Sequence, residues 1–161
     1  AGGVRLNVQP EHAPQVCTQI AAAARTAGVT AQEGFLIQEQ ITDATEIILG
    51  FRRDPVLGAA LLLGAGGTLA EIYEDFGICL LPATAADIRG ALEGLKIATV
   101  LKGYRGKPPA DINALVDAAI GFSRMCLALG DRLADAEINP LFVRSDGRGV
   151  AAADGLVVLG S

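Results

Sequence analysis

Residues 134 to 155 read ADAEINPLFVRSDGRGVAAADG, and within them two carboxylates, Glu137 and Asp154, accompany an amide, Asn139. If residues 145 to 148 form a hairpin loop, Arg144 pairs with Gly149 and the register sets Asn139 directly across from Asp154. Glu137, two residues from Asn139, then shares its face. Two acids and a neutral amide carbonyl suit Mg²⁺, which takes few protein oxygens and keeps waters or phosphates in its octahedral shell. The same spacing equally describes the polar outer face of an ordinary hairpin, and spacing alone does not choose between them.

Other residues invite chemistry more weakly. The GAGG cluster at 64 to 67 permits the curvature of a backbone anion nest, yet no GK[ST] follows it and it lacks the GxGxxG pattern, so a sharp connection between strands reads as well. Arg52, Arg53 and Asp54 end an apolar stretch just before a turn, where an arginine fork could clamp a phosphate or carboxylate or simply be solvated. Lys102, Arg105 and Lys107 crowd one glycine- and proline-rich loop that could touch an anionic partner or merely face water. His12 is the single histidine, which excludes a histidine zinc cluster and disfavours nucleophilic catalysis carried wholly within the chain.

The elements that must position these residues follow from periodicity. Alternation predicts a strand at 3–8, the run FLIQEQI reads as a strand at 35–41, and helical spacing predicts a helix from Pro14 to Gly28. The runs 46–53 and 59–64, joined by the DPVLG turn, read as an antiparallel hairpin. A strand at 77–81 precedes a helix that starts with Thr84 and Asp87 in a capping-box spacing and ends near Gly94. Residues 100–110 read as loop. Asp111 is the expected N-cap of a five-turn helix with a broad apolar stripe, and strands near 136–143 and 150–158 close the chain. Strands at both ends with three helices between them imply α+β layers rather than a βαβ series.

Composition sets the bounds. The 161 residues are 51% hydrophobic and 4% aromatic, without tryptophan. That supports an aliphatic core and argues against stacked nucleobases on an aromatic platform. Thirteen cationic against eighteen acidic residues give a net charge of −5, which provides no broad attraction for nucleic acid or anionic membrane. Cys17, Cys79 and Cys126 read as reduced, buried small hydrophobes of a cytoplasmic protein. The apolar runs look too short or too glycine-broken to span a bilayer.

Taken in order, GFLIQEQITDATEIILGFRRDPVLGAALLLGAGGTLAEIYED, LKGYRGKPPADINALVDAAIGFSRM, AEINPLFV and AAADG resemble the ATP-grasp portion of the NDP-forming (ADP-forming) acyl-CoA synthetases, related to the succinyl-CoA synthetase β subunit. The resemblance runs over essentially the whole chain. It implies an α+β ATP-grasp fold, with residues 1–38 the remnant of a small lobe and 39–161 the large lobe. By it, Asn139 and Asp154 correspond to Mg²⁺ ligands with Glu137 beside them. Gln38 and Glu39 fall at a hinge near the adenine, Glu46 lines the cleft near the sugar, and Asp54, Gly66, Gly67 and Glu71 lie near the phosphates. Arg52, with Asp54 and Glu71, is the expected catalytic set.

The implied cofactors are ATP or ADP and Mg²⁺, with CoA bound outside this chain. The implied partners are phosphohistidine and CoA-binding domains of the same or another chain. The family's nucleotide lysine and a His-Lys segment have no counterpart here, and Leu57 and Ala59 replace the phenylalanine and proline of its usual turn. The chain therefore reads as a fragment or one half of a split ligase, inactive alone, with an exposed N-terminal strand that invites homo-oligomers. The competing reading is a non-catalytic regulatory or docking module within an acyltransferase-type fusion.

Overall fold

A computed structural model describes residues 2–29, 33–67 and 75–160. It divides into two compact units, Ala1–Thr42 and Asp43–Ser161, a boundary four residues beyond the expected one, so that Glu39 falls with Gln38 in the first unit.

The first unit carries one α-helix, α1 (Ala13–Thr26), entered through a 3-10 turn at Pro10–His12. The strands expected at 3–8 and 35–41 do not form; both segments lack ladder pairing. The Asn7 backbone N–H donates instead to the side-chain oxygen of Gln40. No described residue of this unit is buried, so alternation here has no apolar layer to face, and period-2 patterning without burial does not make a strand. Cys17 is accordingly half-buried rather than a core residue.

The second unit is an antiparallel sheet backed by helices. Its elements are β1 (Thr45–Asp54), β2 (Gly58–Ala65), β3 (Phe76–Leu80), α2 (Ala85–Glu93), α3 (Ala98–Leu101), α4 (Ile112–Leu129), β4 (Leu133–Val143), β5 (Val150–Ala152) and β6 (Gly155–Leu159). The strand order is β3-β2-β1-β4-β5, with β6 also paired to β4. Ile47, Leu49 and Phe51 of β1 point to one face, with Leu61 and Leu63 of β2 and Leu141 and Val143 of β4. There they meet Ile88 and Leu92 of α2 and Leu115, Val116, Ala119, Phe122 and Cys126 of α4. Burial pushes the Cys126 thiol up to about 11 and also raises that of Cys79. Contrary to the sequence expectation, residues Ile112–Arg132 are long and apolar enough to cross a bilayer by length and composition; a buried stripe on α4 makes it the core helix of this sheet.

Local chemistry fixes the element ends. Asp54 Oδ1 accepts from the backbone N–H groups of Val56 and Leu57 at 2.8 and 2.7 Å and shapes the β1–β2 turn, with Gly58 in the left-handed region. The Thr84–Asp87 capping box forms as expected. The loop expected over 100–110 begins later, since Ala98–Leu101 make one helical turn, entered where Asp75 accepts from the N–H groups of Lys96 and Ile97, both at 2.8 Å. Asp111 caps α4 by accepting from Ala114 N at 3.0 Å, and its other oxygen accepts from Gly149 N at 2.9 Å, a link to the β4–β5 hairpin loop.

Phe51 is 1% exposed at the centre of this layer; Phe51→Ala is expected to cost about 3 to 5 kcal/mol, read from urea denaturation. Hydrogen bonds to its ionised form, first from Ala114 and then from Gly149, hold the Asp111 carboxyl below the usual carboxylate range. The folded form is therefore favoured above the unfolded pKa of roughly 4, and that contribution disappears as pH falls through the lowered folded value. Thermal melts from about pH 6 down to pH 2 should show a shallower acid loss of stability in Asp111→Asn than in the native chain.

Candidate functional site

With helices on one face of the sheet, the alternate residues of each strand form the other face. On β1 these are Glu46, Ile48, Gly50 and Arg52, of which Glu46 and Arg52 are exposed. Across the β1–β4 ladder Gly50 pairs with Glu137 and Arg52 with Asp135. A Cβ at Gly50 would lie 3.5 Å from the Leu62 Cβ, so that side chain flanks the glycine opposite Glu137. Phe76, Ile78 and Leu80 of β3 and Leu156 and Val158 of β6 lie on this face, all between 43 and 60% exposed. The open face is thus polar at its centre, with apolar rows towards both sides.

The expected hairpin register holds. Arg144 N donates to Gly149 O at 3.1 Å and Arg148 N to Ser145 O at 2.9 Å, closing the loop at 145–148. Leu141 pairs with Ala152 and Ile138 with Gly155. Between them Asn139 N donates to Asp154 O at 3.2 Å, so the two residues sit opposite each other in the register. The single strand expected over 150–158 is divided, however, into β5 and β6 at Ala153–Asp154. Opposite that gap β4 carries one extra residue relative to β1, since Ile47 pairs with Leu141 and Leu49 with Ile138. Asn139 and Pro140 form this bulge, and Pro140 has no N–H to give a ladder. Asp154 Oδ1 accepts from Gly155 N at 2.8 Å, which fixes its carboxylate locally.

Among the described residues no three His, Cys, Asp or Glu side chains cluster as a metal site. The candidate set has only two carboxylates with an amide, a donor composition that fits a cation keeping most of its own waters, and Mg²⁺ behaves so.

Gly66 and Gly67 pack against Glu46. Gly66 N donates to Glu46 O at 2.8 Å, and a Cβ at Gly66 would lie 2.8 Å from the Ile47 carbonyl carbon. Gly67 has φ +76°, and a Cβ there would run into the Glu46 carboxylate. This corrects the anion-nest expectation in part: the N–H groups of Ala65 and Gly66 are spent on Asp75 O and Glu46 O, so these glycines serve close approach rather than presenting a row of free donors.

The other expected site residues are not gathered at one place. Asp54 sits at the tip of the β1–β2 hairpin, committed to its turn, with its carboxyl lowered by the N–H groups of Leu57 and Val56. Arg53 donates to Gly130 O at 3.0 Å and lies 3.8 Å from Asp131. Gln38 and Glu39 are exposed in the first unit, and Glu71 lies outside the described residues. Asp135, in register with Arg52, escaped sequence reasoning, although its two-residue spacing from Glu137 was the available signal. The two cavities described for the second unit, lined by Leu92, Leu101 and Ile112 in one and Pro82, Ile120 and Leu127 in the other, involve the helices. The polar centre is an open surface.

Comparison with known proteins now decides the family. The model of the ATP-grasp domain matches residues 1–159. The chain belongs to the ATP-grasp family. It is 34% identical over 126 residues to the β subunit of an ADP-forming acetate–CoA ligase II of Pyrococcus furiosus, covering 78% of this chain and 53% of that protein. It is 31% identical to an ADP-forming acetate–CoA ligase I of Archaeoglobus fulgidus, covering 99% of this chain and 23% of that one. Among solved structures, an acetyl-coenzyme A synthetase of Candidatus Korarchaeum cryptofilum in complex with coenzyme A and Mg-AMPPCP superposes with a TM-score of 0.82 at 26% identity, over 99% of this chain and 68% of that one. The chain thus spans about half of the Pyrococcus subunit and under a quarter of the Archaeoglobus ligase. This ATP-grasp module has the α+β architecture implied by the resemblance.

The Gly67–Glu46 contact yields a structural test. Gly67→Ala places a side chain in the left-handed region, a cost of about 1 to 2 kcal/mol, and adds the collision with Glu46. In a Glu46→Ala background the collision is gone and only the backbone cost remains. A double-mutant cycle by urea denaturation should therefore show a smaller loss for Gly67→Ala when Glu46 is absent.

Proposed function

We propose that this module holds a Mg²⁺-bound adenine nucleotide on its open sheet face, within an ADP-forming ligase that joins a carboxylic acid to CoA. The observation that carries the reading is the backbone pairing of Asn139 with Asp154 in the hairpin register, at a bulge, with Glu137 on the same strand opposite Gly50.

In this reading Asn139, Asp154 and Glu137 would hold the metal, which when bound supplies positive charge against the terminal phosphates. The chain's own groups supply placement. Asp154 is fixed by its bond from Gly155 N, so its carboxylate need not be reoriented when a ligand arrives. Glu46, held over Gly67 by the close approach of the glycine loop, presents an acceptor suited to a sugar hydroxyl. Arg52 offers a fork for an anionic oxygen at the other end of the same face. The apolar rows of β3 and β6 flank the polar centre on both sides. Gln38 and Glu39 are proposed, on the resemblance alone, to contact the base, and Asp54 and Glu71 to act indirectly through the loops that bear them.

The intact ligase would then need a phosphohistidine segment and a CoA-binding domain beyond this module. Cytoplasmic location is part of the same proposal, since the substrates ATP and CoA are cytoplasmic.

Calorimetric titration with Mg·ADP is the test. Native chain should bind, and both Asn139→Ala and Asp154→Ala should weaken binding by roughly 10- to 150-fold, corresponding to about 1.5 to 3 kcal/mol for a hydrogen-bonded or charged contact. EDTA should abolish the difference among the three. Equal affinity in all three with Mg²⁺ present would contradict the assignment and favour a non-catalytic module that keeps the fold.

A further inference from the structure

The loop at 102–109 and the hairpin loop at 144–149 form one continuous surface. Ala110 bridges Ser145, Asp111 N donates to Arg144 O at 2.8 Å, and Asp146 N donates to Pro109 O at 2.9 Å. These two segments hold five cationic residues, Lys102, Arg105, Lys107, Arg144 and Arg148, against one acidic residue, Asp146; the remainder of the chain holds eight cationic against seventeen acidic. Positive charge is therefore concentrated on one small region of an acidic protein. Lys102, Arg105, Lys107 and Arg148 are exposed.

The surface is also stiff. Gly103 has φ +97°, and a Cβ there would sit 3.1 Å from Lys107 O and 3.3 Å from Pro109 N. Lys107 N donates to Tyr104 O at 3.0 Å. The Arg105 guanidinium lies 5.3 Å from the centre of the Tyr104 ring, and Tyr104 is 47% exposed. A rigid loop offering tyrosine and arginine to solvent loses little conformational freedom on association, and those two residue types dominate binding hot spots.

We propose that this surface docks an acidic face of another domain or subunit of the ligase. The inference rests on the reading that the module belongs to such an enzyme, whose relatives are about twice to four times as long as the matched region. Cations spread over two loops around an exposed aromatic ring suit a protein face of opposite charge better than a single phosphate group. Complementary charge there would orient the partner and speed its encounter.

Hydroxyl-radical footprinting of Tyr104 in the intact ligase and in this 161-residue chain tests it. Tyr104 should be oxidised at least about three-fold more slowly in the intact enzyme. Raising NaCl from about 0.05 to 0.5 M, which shortens screening lengths to a few ångströms, should restore its oxidation, as should the substitutions K102E, R105E and K107E together. The salt arm uses native protein and stands even if the triple variant does not fold. Equal oxidation in both proteins overturns the proposal, and so does protection indifferent to salt. Equivalent protection of the 161-residue chain by about 10 mM pyrophosphate overturns it in favour of a small-anion site. Mg·ADP titration of the same intact enzyme reports on the nucleotide reading separately.

Discussion

One extra residue on β4, at Asn139–Pro140, reconciles the two demands on the central strand. β4 must pack Leu141 and Val143 against the helices near one end and Ala136, with Ile138, near the other. These positions differ in parity, so a regular strand would send one set to solvent. The bulge resets the alternation, and the position where it does so is where Asn139 meets Asp154. Core packing and the candidate metal site thus depend on the same irregularity. A residue inserted or deleted nearby would disturb both.

The hairpin on which this depends is anchored from outside. Asp111 joins the start of α4 to Gly149 through its second oxygen, while its own N–H reaches Arg144 O. The helix that supplies much of the core thereby also fixes the loop end of the hairpin, and Asp154 lies a few residues along from that anchor. On the opposite flank Asp75 plays a similar part by capping the turn at Lys96 and Ile97 and accepting from Ala65 N. Backbone groups in these connections are satisfied by two aspartates rather than by longer elements.

The sequence was informative wherever a local count sufficed. Four residues between Arg144 and Gly149 set the register of Asn139 and Asp154, and the Thr84–Asp87 and Asp111 caps were readable from residue type and spacing. The bulge was not, because a Glu-x-Asn-Pro string is compatible with an unbroken strand until the neighbour β1 imposes its own register. The second bond of Asp111 spans 38 residues and leaves no local trace. Residues 3–8 and 35–41 misled in the opposite direction, since the alternation of the first and the apolar start of the second have no layer to bury against. The glycines at 66 and 67 were singled out for a phosphate loop, and in the structure they allow the close approach of Glu46, with the Gly66 N–H given to Glu46 O. Spacing leaves a metal pair and a wet hairpin face equally open, and the proposed metal pair rests on family resemblance.

The central claim is that Asn139 and Asp154, with Glu137, hold a divalent cation that accompanies the nucleotide. Manganese substituted for magnesium in the presence of ADP makes the location visible, because its unpaired electrons broaden the NMR signals of nearby amides steeply with distance. The account predicts that Mn²⁺ at substoichiometric levels bleaches the amides of Glu137, Asn139, Asp154 and Gly155 first, and spares those of α2 and α4. Bleaching centred on Asp146 and the 145–148 loop, or on the Asp75 region, with Asn139 and Asp154 unaffected, would contradict it.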